Sequence, residues 1–248
     1  MTPPLPPSQP SLPSPPSQPS QPSQPSQPSQ TLPPSEPSPP PTQDDKLDFS
    51  KHLLWDDLAA LDPQTVAEKS GAAAALEDGF PVYTLDFLGA PYALRASSRS
   101  AVSPPGRPEL ARQAKIVLLA YLVASASGPA PGLAGRELAP AALPGGALFF
   151  RKYHELPGAP LAEAFGGAPE ELDRASRAVG AESAGTLAWK SRVLPCVEIY
   201  WYLVPADEEF PAEARYNFDA NVCYYLPLDA LFGLTCSLAD FLISLKGS

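Results

Sequence analysis

Acids crowd into one stretch of this chain. Between Asp207 and Asp219 five of them, Asp207, Glu208, Glu209, Glu213 and Asp219, stand against one cation, Arg215, with Asn217 alongside. Carboxylates at that density can hold a cation or a basic partner. Two carboxylates in different environments can also divide general-acid and general-base duty. Here that pairing would set Glu208 or Glu209 against Asp219, with Arg136 or Arg215 orienting an anionic group. The structural alternative makes Asp207-Glu208-Glu209 a solvated turn and has Asn217 and Asp219 tie down the next loop through side-chain-to-backbone bonds. Alternation says which residues share a face. If Glu213 to Asp219 is extended, then Glu213, Arg215, Asn217 and Asp219 project to one side as a polar ledge, and Ala214, Tyr216 and Phe218 project to the other as core. The candidate binding set is therefore Glu208, Glu209, Glu213, Arg215, Asn217 and Asp219, together with the isolated charge pair Arg136-Glu137.

Other chemistries find little footing. Cys196, Cys223 and Cys236 are widely spaced among apolar or aromatic neighbours, which reads as buried free thiols in a reducing cytoplasm. With only His52 and His154 beside them, local spacing assembles neither a zinc nor an iron–sulfur site, so no metal ligands are assigned. Gly145-Gly146 could bring amides close to an anion, but no Lys-Ser/Thr follows in phosphate-loop register and a tight turn is expected. His154 beside Glu155 lacks an identified partner for base catalysis. A formal charge of -10 argues against a phosphate-backbone binder, so nucleic acid is not an expected partner.

Residues 1 to about 43 are almost wholly Pro, Ser, Gln, Leu and Thr, and Gln-Pro-Ser repeats from Gln18 to Gln30. The three-residue period matches polyproline II, and no apolar face exists to bury. A disordered low-complexity tail is expected there, and one globular domain over residues 44–248. Ser50 caps an expected helix through Leu61, and Asp62-Pro63 starts another that ends at Gly71. Phe80 to Leu88 and Pro91 to Arg95 read as a hairpin with a glycine turn, Ala96 to Gly106 as a loop. Pro108 is placed at the first turn of a helix that becomes almost wholly apolar from Ile116 to Val123 and lies at the centre of the domain. Leu161 to Phe165 and Pro169 to Val179 are helical. Thr186 to Val193 and Val197 to Val204 are strands: Lys190 and Arg192 stand on the polar face of the first, and Glu198, Tyr200 and Tyr202 on that of the second. Pro227 and Asp229 open a terminal helix with a leucine stripe. Its polar interruptions make it a core helix rather than a membrane span. The N-terminus lacks the basic and apolar regions of a secretory signal. The fold class is α+β: a small antiparallel sheet from Phe80 to Arg95 and Thr186 to Asp219, with helices over one face.

Several strings together resemble a known family. Asp207-Glu-Glu-Phe-Pro-Ala-Glu-Ala, Asn217-Phe-Asp219, Tyr225-Leu-Pro227 and Asp229-Ala-Leu231, with Arg136-Glu137-Leu138, Leu143-Pro-Gly-Gly146 and Ala164-Phe-Gly-Gly167, look like an uncharacterised domain-of-unknown-function family of mainly anaerobic prokaryotes. Some of its members carry an extra four-cysteine iron–sulfur module. The resemblance runs from about residue 50 to the C-terminus and implies a cytoplasmic accessory role beside iron–sulfur or corrinoid chemistry. Ala139 to Leu143 separates two of the family's strings here, and the cysteine cluster is absent. The leading expectation is a binding or accessory module that uses the ledge towards a protein partner. A carboxylate enzyme of unknown reaction, and a structural interaction protein tethered by its proline-rich tail, are the alternatives. No cofactor is assigned.

Overall fold

The computed structural model describes residues 53–129 and 132–247. The proline-rich tail and the Ser50 cap lie outside them. Helix α1 covers 53–59, and α2 runs from Pro63 to Ser70. Asp62 caps α2 as its position before proline suggests: its carboxylate accepts from Thr65 N at 2.8 Å and from the Thr65 hydroxyl at 2.7 Å. Gly71, with φ of 70°, closes the helix in the left-handed region.

Four strands follow: β1 (Ala73–Glu77), β2 (Phe80–Phe87), β3 (Ala90–Arg95) and β4 (Ser100–Val102), an antiparallel meander in that order. The expected hairpin is β2–β3. Both neighbours of that hairpin are additions: β1, an alanine run exposed along its whole length, and β4, three residues inside the expected loop. Asp78-Gly79, both at positive φ, make the two-residue turn that folds β1 onto β2.

Helix α3 spans Arg112–Ala126, four residues later than the proline suggested. Leu110, at 8% exposure, is drawn into the core ahead of the helix, and Lys115 reaches back to Glu109 at 2.7 Å. Buried on all sides through Leu118, Leu119, Tyr121 and Leu122, α3 is the central helix expected from its apolar run. The short strand β5 (Glu137–Leu138) comes next. It is followed by α4 (Gly146–Phe149), α5 (Gly158–Phe165), α6 (Pro169–Ala178), β6 (Glu182–Gly185), β7 (Ala188–Leu194), β8 (Val197–Val204), β9 (Glu213–Asp219) and α7 (Leu228–Ser244).

The later strands form a second antiparallel sheet in the order β5-β9-β8-β7-β6. The α+β class holds, with two sheets in place of one. Apart from β5, which pairs with the distant β9, each strand is paired with a neighbour in sequence, and the two sheets are joined where Leu88 N, in the β2–β3 turn, donates to Val193 O of β7 at 3.1 Å. The inner face of the five-stranded sheet packs on helices: Trp189 Nε1 donates to Asp173 at 2.9 Å, Trp201 Nε1 to Ser176 at 3.1 Å, and the Ser191 hydroxyl to Val179 O at 2.7 Å. Tyr121 of α3 joins two layers. Its hydroxyl donates to Ser70 O at 2.5 Å, at the end of α2, and accepts from Cys196 N at 3.1 Å, in the β7–β8 turn. Among the described residues no helix is long and apolar enough to cross a membrane.

Candidate functional site

Strand register turns three separate polar alternations into one surface. Arg192 of β7 lies opposite Glu198 of β8, Lys190 opposite Tyr200, and Ala188 opposite Tyr202. On the other side of β8, Tyr200 faces Asn217 of β9 and Tyr202 faces Arg215. Glu137 of β5 and Glu182 of β6 complete rows at the two edges, opposite Asp219 and Lys190 respectively. The apolar partners of these residues, Ile199, Trp201, Leu203, Ala214, Tyr216 and Phe218, take the opposite face and are buried, as alternation requires.

At the β5 side the groups satisfy one another. Glu137 accepts from the Tyr202 hydroxyl and from Asn217 Nδ2, both at 2.5 Å. Arg215 holds Glu213 through two bonds at 2.8 and 2.7 Å. That bidentate grip holds the Glu213 carboxyl below its usual range and raises the guanidinium above its own. Burial, then the hydrogen bond to Glu137, pushes the Tyr202 hydroxyl well above the ordinary tyrosine value; burial and then Glu198 do the same to Tyr200. Both phenols are therefore donors at neutral pH.

Asp219 departs from the outward ledge expected for it. It is fully buried because the loop before β5 folds over the end of β9: Oδ1 accepts from Ala134 N and Asn221 N at 2.9 Å each, and Oδ2 from Gly135 N at 2.8 Å. Its work here is to clamp that loop, which Tyr225 also holds by donating to Gly132 O at 3.2 Å. Glu208 and Glu209 are exposed in the turn between β8 and β9. Asp207 organises that turn by accepting from Glu209 N at 2.9 Å and Phe210 N at 2.7 Å, bonds that lower its carboxyl pKa. Arg136 is exposed, and its backbone carbonyl accepts from Ala220 N at 2.8 Å. The structure thus brings Glu137, Glu213, Arg215 and Asn217 together, leaves Glu208 and Glu209 on the adjoining turn, and withdraws Asp219 into the loop clamp.

The other half of the surface, Lys190, Arg192, Glu198 and Tyr200, was not among the candidates. Alternation had placed each on a polar strand face; only the register shows that the faces are one. The thiols stay apart as free cysteines, with Cys196 buried. Burial, and then Asp240, pushes the Cys236 thiol up to about 11. Among the described residues no three His, Cys, Asp or Glu side chains converge as a metal ion would need. His154 stacks on Phe149 at 4.3 Å and meets Phe232 edge-on at 5.4 Å, a packing role.

Residues 62–240 match the model of a family described as a domain of unknown function (DUF3786). No curated protein and no solved structure matches the chain.

Proposed function

The chain belongs to that family of unknown function, and we propose that it is a protein-binding accessory module whose contact surface is the β5–β9 end of the polar sheet face and the adjoining turn. One observation carries the reading: Glu137 fastens Tyr202 and Asn217 beside the Glu213–Arg215 pair, so the surface is ordered before any partner arrives. Side chains already held in place lose little freedom on binding. Exposed Glu208, Glu209, Glu213 and Glu137 outnumber Arg215 and Arg136 there, which suits a partner presenting a basic segment. The resemblance to a family of anaerobic prokaryotes supports an accessory setting beside iron–sulfur or corrinoid chemistry. With no converging metal ligands among the described residues, such a centre would belong to the partner.

The test is a binding titration of the full chain with a lysine-rich peptide, repeated with Glu208→Lys, Glu209→Lys and Glu213→Lys combined. The expected result is saturable, salt-sensitive binding that the triple variant loses while its circular dichroism is unchanged. Equal binding by parent and variant, or none by the parent, overturns the reading. Removing residues 1–43 is expected to leave this binding intact; its loss would favour tethering by the tail.

A further inference from the structure

Strand β7 has a gap along its β6 edge. Pairing with β6 ends at Glu182↔Lys190, and the β2–β3 turn arrives only at Val193, through the bond from Leu88 N. Between them Ser191 and Arg192 have no ladder partner on that side. The gap opens into a cavity of about 480 Å³ whose walls include Asp86, Gly180, Lys190, Arg192 and Glu198. Asp86 and Arg192 also line a neighbouring cavity of about 380 Å³.

The charged groups here are not satisfied as they are at the β5 end. Glu198 is 8% exposed. Its Oε2 accepts from the Tyr200 hydroxyl at 2.5 Å, but Oε1 has only Lys190 Nζ at 3.9 Å, beyond hydrogen-bonding distance. Arg192, opposite Glu198 in the register, is exposed and makes no ion pair among the described residues. A nearly buried carboxylate with a spare acceptor and a guanidinium with its fork free therefore border one cavity. A free guanidinium fork matches a carboxylate in bidentate geometry. The spare Glu198 oxygen, with Asp86 nearby on the wall, calls for an ammonium donor.

We propose that this cleft binds a small zwitterion of the α-amino-acid class, its carboxylate on Arg192 and Lys190 and its ammonium on Glu198 and Asp86. The site is separate from the protein-binding surface above and stands or falls without it.

The test is an amide-resolved NMR titration of the full chain with each of the common L-amino acids in turn, and with acetate and methylammonium, which each offer one half of the ligand. At least one amino acid is expected to shift the Gly89, Gly180 and Ser191 amides to saturation, with acetate and methylammonium binding about tenfold or more weakly. Arg192→Gln, at an exposed position, should weaken the amino acid by a similar factor and abolish the acetate response. Glu198→Gln should weaken the amino acid and spare acetate. If no amino acid moves those amides, if acetate binds as tightly as the best amino acid, or if Arg192→Gln binds like the parent, the proposal is overturned. Arg192→Gln decides the matter even if the buried Glu198 variant does not fold.

Discussion

Asp219 commits both carboxylate oxygens to the N–H groups of Ala134, Gly135 and Asn221, which sets what its removal would cost. Asp219→Ala leaves three donors to find water in a partly covered loop, and urea unfolding should show a loss of about 1–3 kcal/mol. Asp219→Asn, which keeps one acceptor oxygen, should fall between. A smaller loss for Ala than for Asn would mean that the loop is held by other contacts. Asp62 gives a test by pH. The Thr65 side-chain and backbone bonds lower its pKa in the folded chain. Its contribution is then fully present above the unfolded value, about 3.9, and is lost as pH falls through the lower folded value. In thermal melts Asp62→Ala should be destabilised relative to the parent at neutral pH, and the gap should close in strong acid.

Helix α5 meets β9 through a glycine. A Cβ built on Gly158 would stand 2.1 Å from the carbonyl oxygen of Ala214, a backbone atom that cannot swing away. Gly158→Ala should therefore cost about 1–3 kcal/mol in a melt and shift the amides of β9. Gly167→Ala, with nothing within 4 Å, is the matching control and should do neither. Elements of this kind were legible where side chains alternate strongly: β8 and β9 occupy the ranges that their alternation marks, and α7 starts after Pro227. Strand β1 was not, because Ala73 to Ala75 carry no β preference and no alternation; the turn signal Asp78-Gly79 could have found it. Strand β5, two residues long, has no local signal and exists by virtue of β9. The candidate site divides in the same way. The β9 alternation was readable, whereas the shared surface of Lys190, Glu198 and Tyr200 depends on the exact hairpin register, and Glu137 joins it only through the pairing of β5 with β9, distant in sequence.

At the scale of the molecule, few side chains tie distant segments as Tyr121 does. Its hydroxyl serves Ser70 O and Cys196 N at once, and burial raises its pKa far above the ordinary value. Tyr121→Phe keeps the ring, leaves the buried Cys196 N–H without its acceptor, and leaves Ser70 O with only the weak Cys196 thiol donor at 3.7 Å. The expected loss is about 1–3 kcal/mol by denaturant titration. Arg107 makes a comparable junction nearer the surface, donating to Leu88 O at 3.3 Å and Ala178 O at 3.2 Å while its guanidinium lies 4.6 Å over the Phe241 ring.

The bond from Cys196 N to the Tyr121 hydroxyl also turns one amide into a gauge. A peptide hydrogen in a hairpin turn ordinarily exchanges with solvent by local fraying, but this one faces the interior and is held by a side chain from the central helix. With this bond intact, exchange is expected to require that α3 and the β7–β8 hairpin separate. Its exchange free energy should equal that of global unfolding, and in the Tyr121→Phe variant its protection should fall further than that of any other amide in the hairpin.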